Sequence, residues 1–295
     1  MGHPSQRAVD SPYLVPFDGS LRVSRLDTRA AKKLQLDSKS EREERLKAHV
    51  ANISELQRVL YADSRYSLLL IFQAMDAAGK DSTIRAVLTG IDPSGCEVHA
   101  FKRPTEEELS HDFLWRTSQH LPQRGRIGVF NRSYYEEVLA VRVNPQFLEA
   151  QRLPDAPPLP ELFEQRYESI RDHEKHLAHN GTVILKFWLN VSAEEQRTRL
   201  LARLDEPEKN WKFESADLLV REHWKDYQAA YEDALNQTSR PWAPWYAIPA
   251  DSKSYMRMAV ADIIERTLAG LDLRWPELAQ HERDQLAEMR KKLAG

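Results

Sequence analysis

Asp76, Gly79, Lys80 and Asp81 crowd into one short stretch, MDAAGKDSTI, residues 75–84. A lysine beside two carboxylates, set among small residues, suits phosphate and the hard divalent cation that travels with it. The stretch departs from the phosphate-loop pattern G-x-x-x-x-G-K-[ST] at two places. Ala74 stands where the first glycine belongs, and Asp81 stands where the metal-binding hydroxyl belongs. The requirements of such a loop can still be met. Ala77 and Ala78 are small, Gly79 allows close backbone approach, and Lys80 supplies the cation. The segment after it can start a helix whose N-terminus faces the phosphates. Ser82 and Arg85, on that helix, complete the candidate phosphate ligands. Asp81 remains an oxygen ligand, now charged, and Asp76 sits at the end of a predicted strand. Two such carboxylates suit magnesium, and two metal ions would clamp an in-line phosphoryl transfer. The plainer alternative is an ordinary strand-to-helix turn capped by Asp81 or Ser82. Taken alone, the loop divides evenly between the two.

Other cation-bearing segments follow other short strands. In FNRSYYEEVLAVRV, residues 130–143, Arg132 emerges at a strand end, where it can hold a phosphate bidentately. Glu136 is expected four residues on along one helix face, where it can pair with Arg132 or hold a metal. Arg142 is a further candidate phosphate ligand. Lys102 and Arg103 of AFKRPT mark a third strand end. RLDEPEKNWKF, residues 203–213, places Arg203, Lys209 and Lys212 around Trp211 between two helices, as a lid closing over phosphates requires. Each has a plain counterpart: a salt-bridged helix start, a solvated pair of cations, and a solvated loop whose Trp211 packs on the core. HEKHLAH, residues 173–179, misses the H-E-x-x-H metal spacing by one residue, which leaves His173, His176 and His179 as helix-surface or core-edge residues.

The elements that must position these groups alternate along the chain. SLLLIFQAM reads as a strand buried on both faces, and STIRAVLTGI as a helix ending near Gly90. EVHAFK and RIGVF are short strands, SYYEEVLAVRV looks helical, and TVILKFWLNV is the clearest strand. A long helix is expected from about Ser215, with Val220, Trp224, Tyr227, Tyr231 and Ala234 on one apolar face. WYAIPAD is the last strand and 253–269 the last helix before a charged tail. Leu34, Leu36, Leu46, Val50, Ile53, Leu56 and Leu60 mark a helix within 28–60. Such alternation means an α/β domain on a parallel sheet, with ligands at the carboxyl ends of the strands. The chain has 295 residues, a hydrophobic fraction of 41% and net charge −3. That supports a sizeable core and argues against bulk attraction to nucleic acid. One cysteine, Cys96, forms no intramolecular disulfide. No apolar run is long enough to span a membrane, and Gln6 breaks the myristoylation pattern. The expected location is cytoplasmic.

Taken together and in order, MDAAGKDSTI, FKRPT, FNRSYYEEVLAVRV, KNWKF, AYEDALNQTS and APWYAIPAD resemble the family-2 polyphosphate kinases over about residues 30–272. The resemblance implies a P-loop kinase fold like that of thymidylate kinase. That is a three-layer αβα arrangement with a central parallel sheet of about five strands and a helical lid near 196–220. Residues 1–27 are left as an N-terminal arm and 273–295 as a charged C-terminal helix or tail. It implies magnesium-dependent phosphoryl transfer, with one or two ions and manganese as a substitute, between inorganic polyphosphate and adenine or guanine nucleotides. Asp76, Gly79, Lys80 and Asp81 match the family's loop, and Arg132 and Glu136 its second motif. Lys102 and Arg103 match its basic strand end, and Arg203, Lys209 and Lys212 its lid. The resemblance also implies a homo-oligomer, dimer or tetramer. Many relatives carry aspartate before the motif's arginine; Asn131 stands there in this chain, so that aspartate's role is not carried over. FNRSYYEE resembles the branch that uses both AMP and ADP. Three rivals stay open: an ATP-dependent nucleoside monophosphate kinase, a non-catalytic polyphosphate- or nucleotide-binding module, and a structural α/β protein with a capped turn at 76–82.

Overall fold

The computed structural model describes residues 8–30, 38–212 and 216–294. Gln6, Leu34, Leu36 and Ser215, and the side chain of Lys212, lie outside the described residues. In chain order the elements are α1 Lys39–Asp63, β1 Ser67–Gln73, α2 Lys80–Val87, β2 Cys96–Ala100, α3 Glu106–Ser110, α4 Trp115–Ser118, β3 Ile127–Asn131, α5 Ala140–Val143, α6 Leu159–His179, β4 Thr182–Asn190, α7 Ala193–Asp205, α8 Ala216–Glu222, α9 Trp224–Thr238, β5 Trp245–Pro249, α10 Lys253–Ala269 and α11 Gln280–Leu293.

The five strands form one parallel sheet in the order β2-β3-β1-β4-β5. Every residue of β1, β4 and β5 is buried. A sheet whose strands are apolar on both faces must be covered on both. The alternating direction of side chains on β4 shows the two layers. Phe187 lies in an aromatic row with Phe72 and Tyr246, at ring separations of 5.1 and 5.9 Å. Lys186 and Trp188 point the other way, where Lys186 meets Glu174 of α6 and Trp188 stacks on Tyr231 of α9. Helices α1, α2 and α10 pack together as one group, and α6 and α9 as another.

Local chemistry sets the element ends. Ser38 caps α1: its Oγ accepts from Glu41 N at 3.2 Å, and the Glu41 carboxylate accepts from Ser38 N. Ser192 caps α7 through its hydroxyl alone, accepting from Glu195 N at 3.1 Å. The described part of the predicted arm is tied down. Val15 N donates to Trp245 O at 2.9 Å and Ala247 N to Tyr13 O at 2.8 Å, so the segment covers the β5 edge of the sheet.

Two expectations need correction. SYYEEVLAVRV is not one helix: residues Tyr134–Val138 form a 3-10 turn, and α5 follows only after a break at Leu139. The long helix expected from Ser215 divides into α8 and α9, with His223 at the junction. Tyr227, Tyr231 and Ala234 still form its buried face.

Candidate active site

Strand β1 delivers the chain to the loop 74–79, and α2 begins at Lys80. Two loop residues take left-handed backbone: Ala77 at φ +61° and Gly79 at φ +110°. Glycine is required at the second. A Cβ there would meet Met256 Cε at 3.2 Å as well as the strain of that φ. Neither Asp81 nor Ser82 caps α2. Gly79 is the N-cap, with no side-chain cap bond, and Ser82 Oγ donates to Gly79 O at 3.0 Å. The capped-turn alternative therefore loses its cap.

Lys80 is buried, and its Nζ donates to Ala74 O at 2.8 Å. Burial lowers its pKa, and the nearby Arg132 guanidinium adds to that; Asp76, Glu136 and Asp81 pull the other way. Arg132 leaves the end of β3 at φ +64°, a strained conformation for an arginine. Its backbone N donates to Phe72 O at 3.0 Å, and its Nη2 donates to Asp76 Oδ1 at 2.8 Å. The Glu136 carboxylate, together with Asp76, holds the Arg132 guanidinium charged, above its usual range.

Glu136 reaches this place by a route the sequence did not suggest. Arg132 is not on a helix, so the two do not share a helix face. The Gln73 amide instead links the strand to the turn: Nε2 donates to Glu136 Oε1 at 3.0 Å, and Oε1 accepts from Ser133 N at 3.2 Å. Asn131 Nδ2 donates to Asp81 Oδ1 at 2.6 Å. An aspartate at 131 would have no N–H to offer and would face a like charge.

Asp76, Lys80, Arg132 and Glu136 therefore converge at the carboxyl ends of β1 and β3, with Asp81 beside them. Among the described residues no group of three or more acidic, histidine or cysteine side chains is arranged as a metal cage. Asp76 and Asp81 still fit magnesium, which dehydrates reluctantly and is commonly held by one or two carboxylates with water and substrate phosphate.

The other predicted residues lie around this centre in different conditions. Lys102, Arg103 and Arg85 are exposed. The carbonyl of Lys102 is braced by Arg116 Nη2 at 2.9 Å. Arg203 lies in the last turn of α7, and Lys209 pairs with Glu206 in the 3-10 turn Pro207–Lys212. Trp211 is 77% exposed and does not pack on the core. Arg142 is drawn elsewhere. Its Nη1 donates to Tyr167 Oη at 2.6 Å, its Nη2 pairs with Asp233, and its guanidinium lies over Phe163. That is a bracing position between α5, α6 and α9, and it does not join Arg142 to the loop.

Sequence reading missed several residues that contact the centre. Gln196 Nε2 donates to Asp76 O at 3.0 Å, and Arg199 Nη1 donates to Ala78 O at 2.6 Å. Both sit on α7, inside the stretch 196–220 that the sequence marks only as lid. Tyr231 is buried against the site; burial raises its pKa, and the Glu136 and Asp76 carboxylates raise it further. Tyr227, pushed up to about 12, senses the same charges after burial. The aromatic spacing on α9 was visible in the sequence, but it reads equally as core.

A family model described as "Polyphosphate kinase 2 (PPK2)" matches residues 35–274. The chain is 53% identical over 258 residues to an ADP-polyphosphate phosphotransferase of Rhodopseudomonas palustris, covering 87% of this chain and 89% of that protein. It is 43% identical over 268 residues to an AMP/ADP-polyphosphate phosphotransferase of Meiothermus ruber, covering 90% and 95%. The crystal structure of polyphosphate kinase 2 from Arthrobacter aurescens superposes with a TM-score of 0.81 at 38% identity, covering 96% and 99%.

Proposed function

The chain belongs to the polyphosphate kinase 2 family, and on that premise we propose that it moves the terminal phosphoryl group of inorganic polyphosphate to ADP, reversibly, with AMP as a second acceptor. The observation that carries this reading is the convergence of Asp76, Lys80 and Arg132 on one strand-end loop, in a chain whose relatives are named for this transfer. AMP ranks second because the relative named for ADP alone is the more identical of the two.

Polyphosphate has no base or sugar to recognise, so a protein holds it by charge and spacing. The loop N–H groups and the α2 N-terminus supply fixed positive potential. Lys80 and Arg132 neutralise charge on the transferring group, and Lys102, Arg103 and the lid cations extend the basic track. A magnesium ion held by Asp76 and Asp81, with Glu136 near, would supply charge neutralisation between phosphate oxygens. Asp76 orients the attacking nucleotide oxygen and accepts its proton when the acceptor is protonated. Most of the catalysis is then positioning and electrostatics. Asp76→Asn is expected to abolish transfer with the fold intact; near-wild-type turnover in that variant would remove Asp76 from the mechanism. A cytoplasmic location and a dimeric or tetrameric assembly belong to the same proposal, and light scattering tests the latter. Among the described residues no helix is long and apolar enough to cross a membrane.

The deciding assay mixes the protein, magnesium and long-chain polyphosphate with ADP or with AMP and separates the products. ATP from ADP, and ADP then ATP from AMP, is the expected result. ATP from ADP alone removes the second acceptor. No transfer from polyphosphate, with ADP formed from AMP and ATP, returns the protein to the monophosphate-kinase reading.

A further inference from the structure

The carbonyls of the phosphate loop are held from behind by the first lid helix. Gln196 Nε2 donates to Asp76 O at 3.0 Å. Arg199 Nη1 donates to Ala77 O at 3.3 Å and to Ala78 O at 2.6 Å. The other guanidinium nitrogen, Nη2, donates to Ala250 O at 2.7 Å and Asp251 O at 3.1 Å, just past β5. Arg199 Nε donates to Glu195 Oε1 at 2.8 Å, which fixes the plane of the fork. Both Gln196 and Arg199 are buried.

Peptide planarity gives these bonds a consequence on the other side of the loop. In a trans peptide the C=O of one residue and the N–H of the next point in opposite directions. Tying the Asp76 and Ala78 carbonyls toward α7 therefore turns the N–H groups of Ala77 and Gly79 away from α7. The loop backbone is strained at Ala77, a non-glycine residue at φ +61°, so it needs outside contacts to hold that shape. A third residue links the arrangement to the returning lid helix. Arg221 of α8 donates through Nη1 to Gln196 Oε1 at 3.0 Å and to Ala193 O at 2.8 Å.

We propose that Gln196 and Arg199 are positioning residues for phosphoryl transfer: they aim the loop N–H groups at the phosphates, and Arg221 couples that aim to the placement of lid helix α8. The inference rests on the polyphosphate-transfer reading. It assigns the base of the lid a second task besides covering the substrate. A shift of α8 reaches Asp76 through two side chains, Arg221 and Gln196.

The test is steady-state kinetics with polyphosphate and ADP on wild type, Gln196→Ala, Arg199→Lys and Arg221→Ala, with thermal unfolding measured alongside. Wild-type turnover is scored first; its absence would overturn the functional reading and is separate from any result on the variants. Lysine at 199 keeps the charge but loses the fork that bridges loop and β5. Misplaced reacting groups cost up to about 100-fold in rate. The expected result is a fall in kcat of about 10- to 100-fold for Gln196→Ala and Arg199→Lys, with KM for ADP within about threefold of wild type. Arg221→Ala is expected to lower kcat less, because it acts through Gln196. If Gln196→Ala and Arg199→Lys keep wild-type kcat at temperatures where they are folded, whatever their Tm, the proposal is overturned. It is equally overturned if both variants change only KM.

Discussion

Two buried lysines, Lys80 and Lys186, show how the same group serves opposite ends. Both are desolvated, and burial pushes both pKa values down, Lys186 to about 8. Lys186 is fully enclosed in β4, and its ammonium meets three acceptors: Glu174 Oε2 at 2.6 Å, Tyr135 Oη at 2.8 Å and Thr238 O at 2.9 Å. An ammonium has three donors, so this one is saturated. Glu174 in turn accepts from Tyr134 and Tyr135 at 2.9 and 2.8 Å. Lys80 makes one such bond among the described residues, to Ala74 O, and lies beside a second cation, Arg132. A saturated buried cation holds a fold together; an under-coordinated one beside a like charge is set to receive an anion. The two tyrosines of FNRSYYEE therefore serve Lys186 and its partner Glu174, and the arginine of the same motif lies beside Lys80.

The comparison is sharpened most by removing each ammonium in turn. Lys186→Met leaves the buried Glu174 carboxylate with the Tyr134 and Tyr135 hydroxyls but no cation, and breaking a buried pair this way costs about 3–5 kcal/mol. Chemical denaturation should show that loss, while kcat per folded molecule stays within about threefold. Adding Glu174→Gln should recover part of the stability. Lys80→Met should do the reverse: transfer falls about 100- to 1000-fold, as for loss of one charge-stabilising donor, and the unfolding midpoint moves by no more than a few degrees. Equal damage to stability and turnover in both variants would collapse the distinction.

A smaller effect separates them by pH. The Lys80 pKa is lowered in the free protein by burial and by Arg132. A bound phosphate adds negative charge to that of Asp76, Glu136 and Asp81 and raises the pKa further. Binding above neutral pH should therefore take up protons, and affinity should fall as pH rises through the depressed Lys80 value. Calorimetry of polyphosphate binding in buffers of different ionisation enthalpy measures the uptake. Lys80→Met should abolish most of it, and Glu174→Gln should leave it unchanged. Proton release on binding would reverse the sign and place Lys80 outside the phosphate site.

Much of the site was legible because its pieces are local. The run Leu68–Phe72 can only be buried, and the small residues after it can only turn. Arg132 was placed at a strand end for the same reason. The helix assigned to SYYEEVLAVRV failed because its spacing suits a helix, but Tyr134 and Tyr135 are drawn inward to Glu174, which tightens the backbone into a 3-10 turn. Arg142 looked like one more cation on that face. Asp233, far along the chain, draws it away.

By itself the sequence determined the strands and their alternation with helices, the loop after β1, and the kinds of charge available at each strand end. Those follow from apolar runs, small residues and helix ends, which act over a few neighbours. Only the tertiary structure decided which cations face phosphate and which brace the fold. That choice depends on acceptors brought from distant segments. Glu174 reaches Lys186 from α6, and Arg199 and Gln196 reach the loop from α7. Inside a folded chain a cation's role is set by how many acceptors already surround it, and no pattern of neighbours along the sequence carries that count.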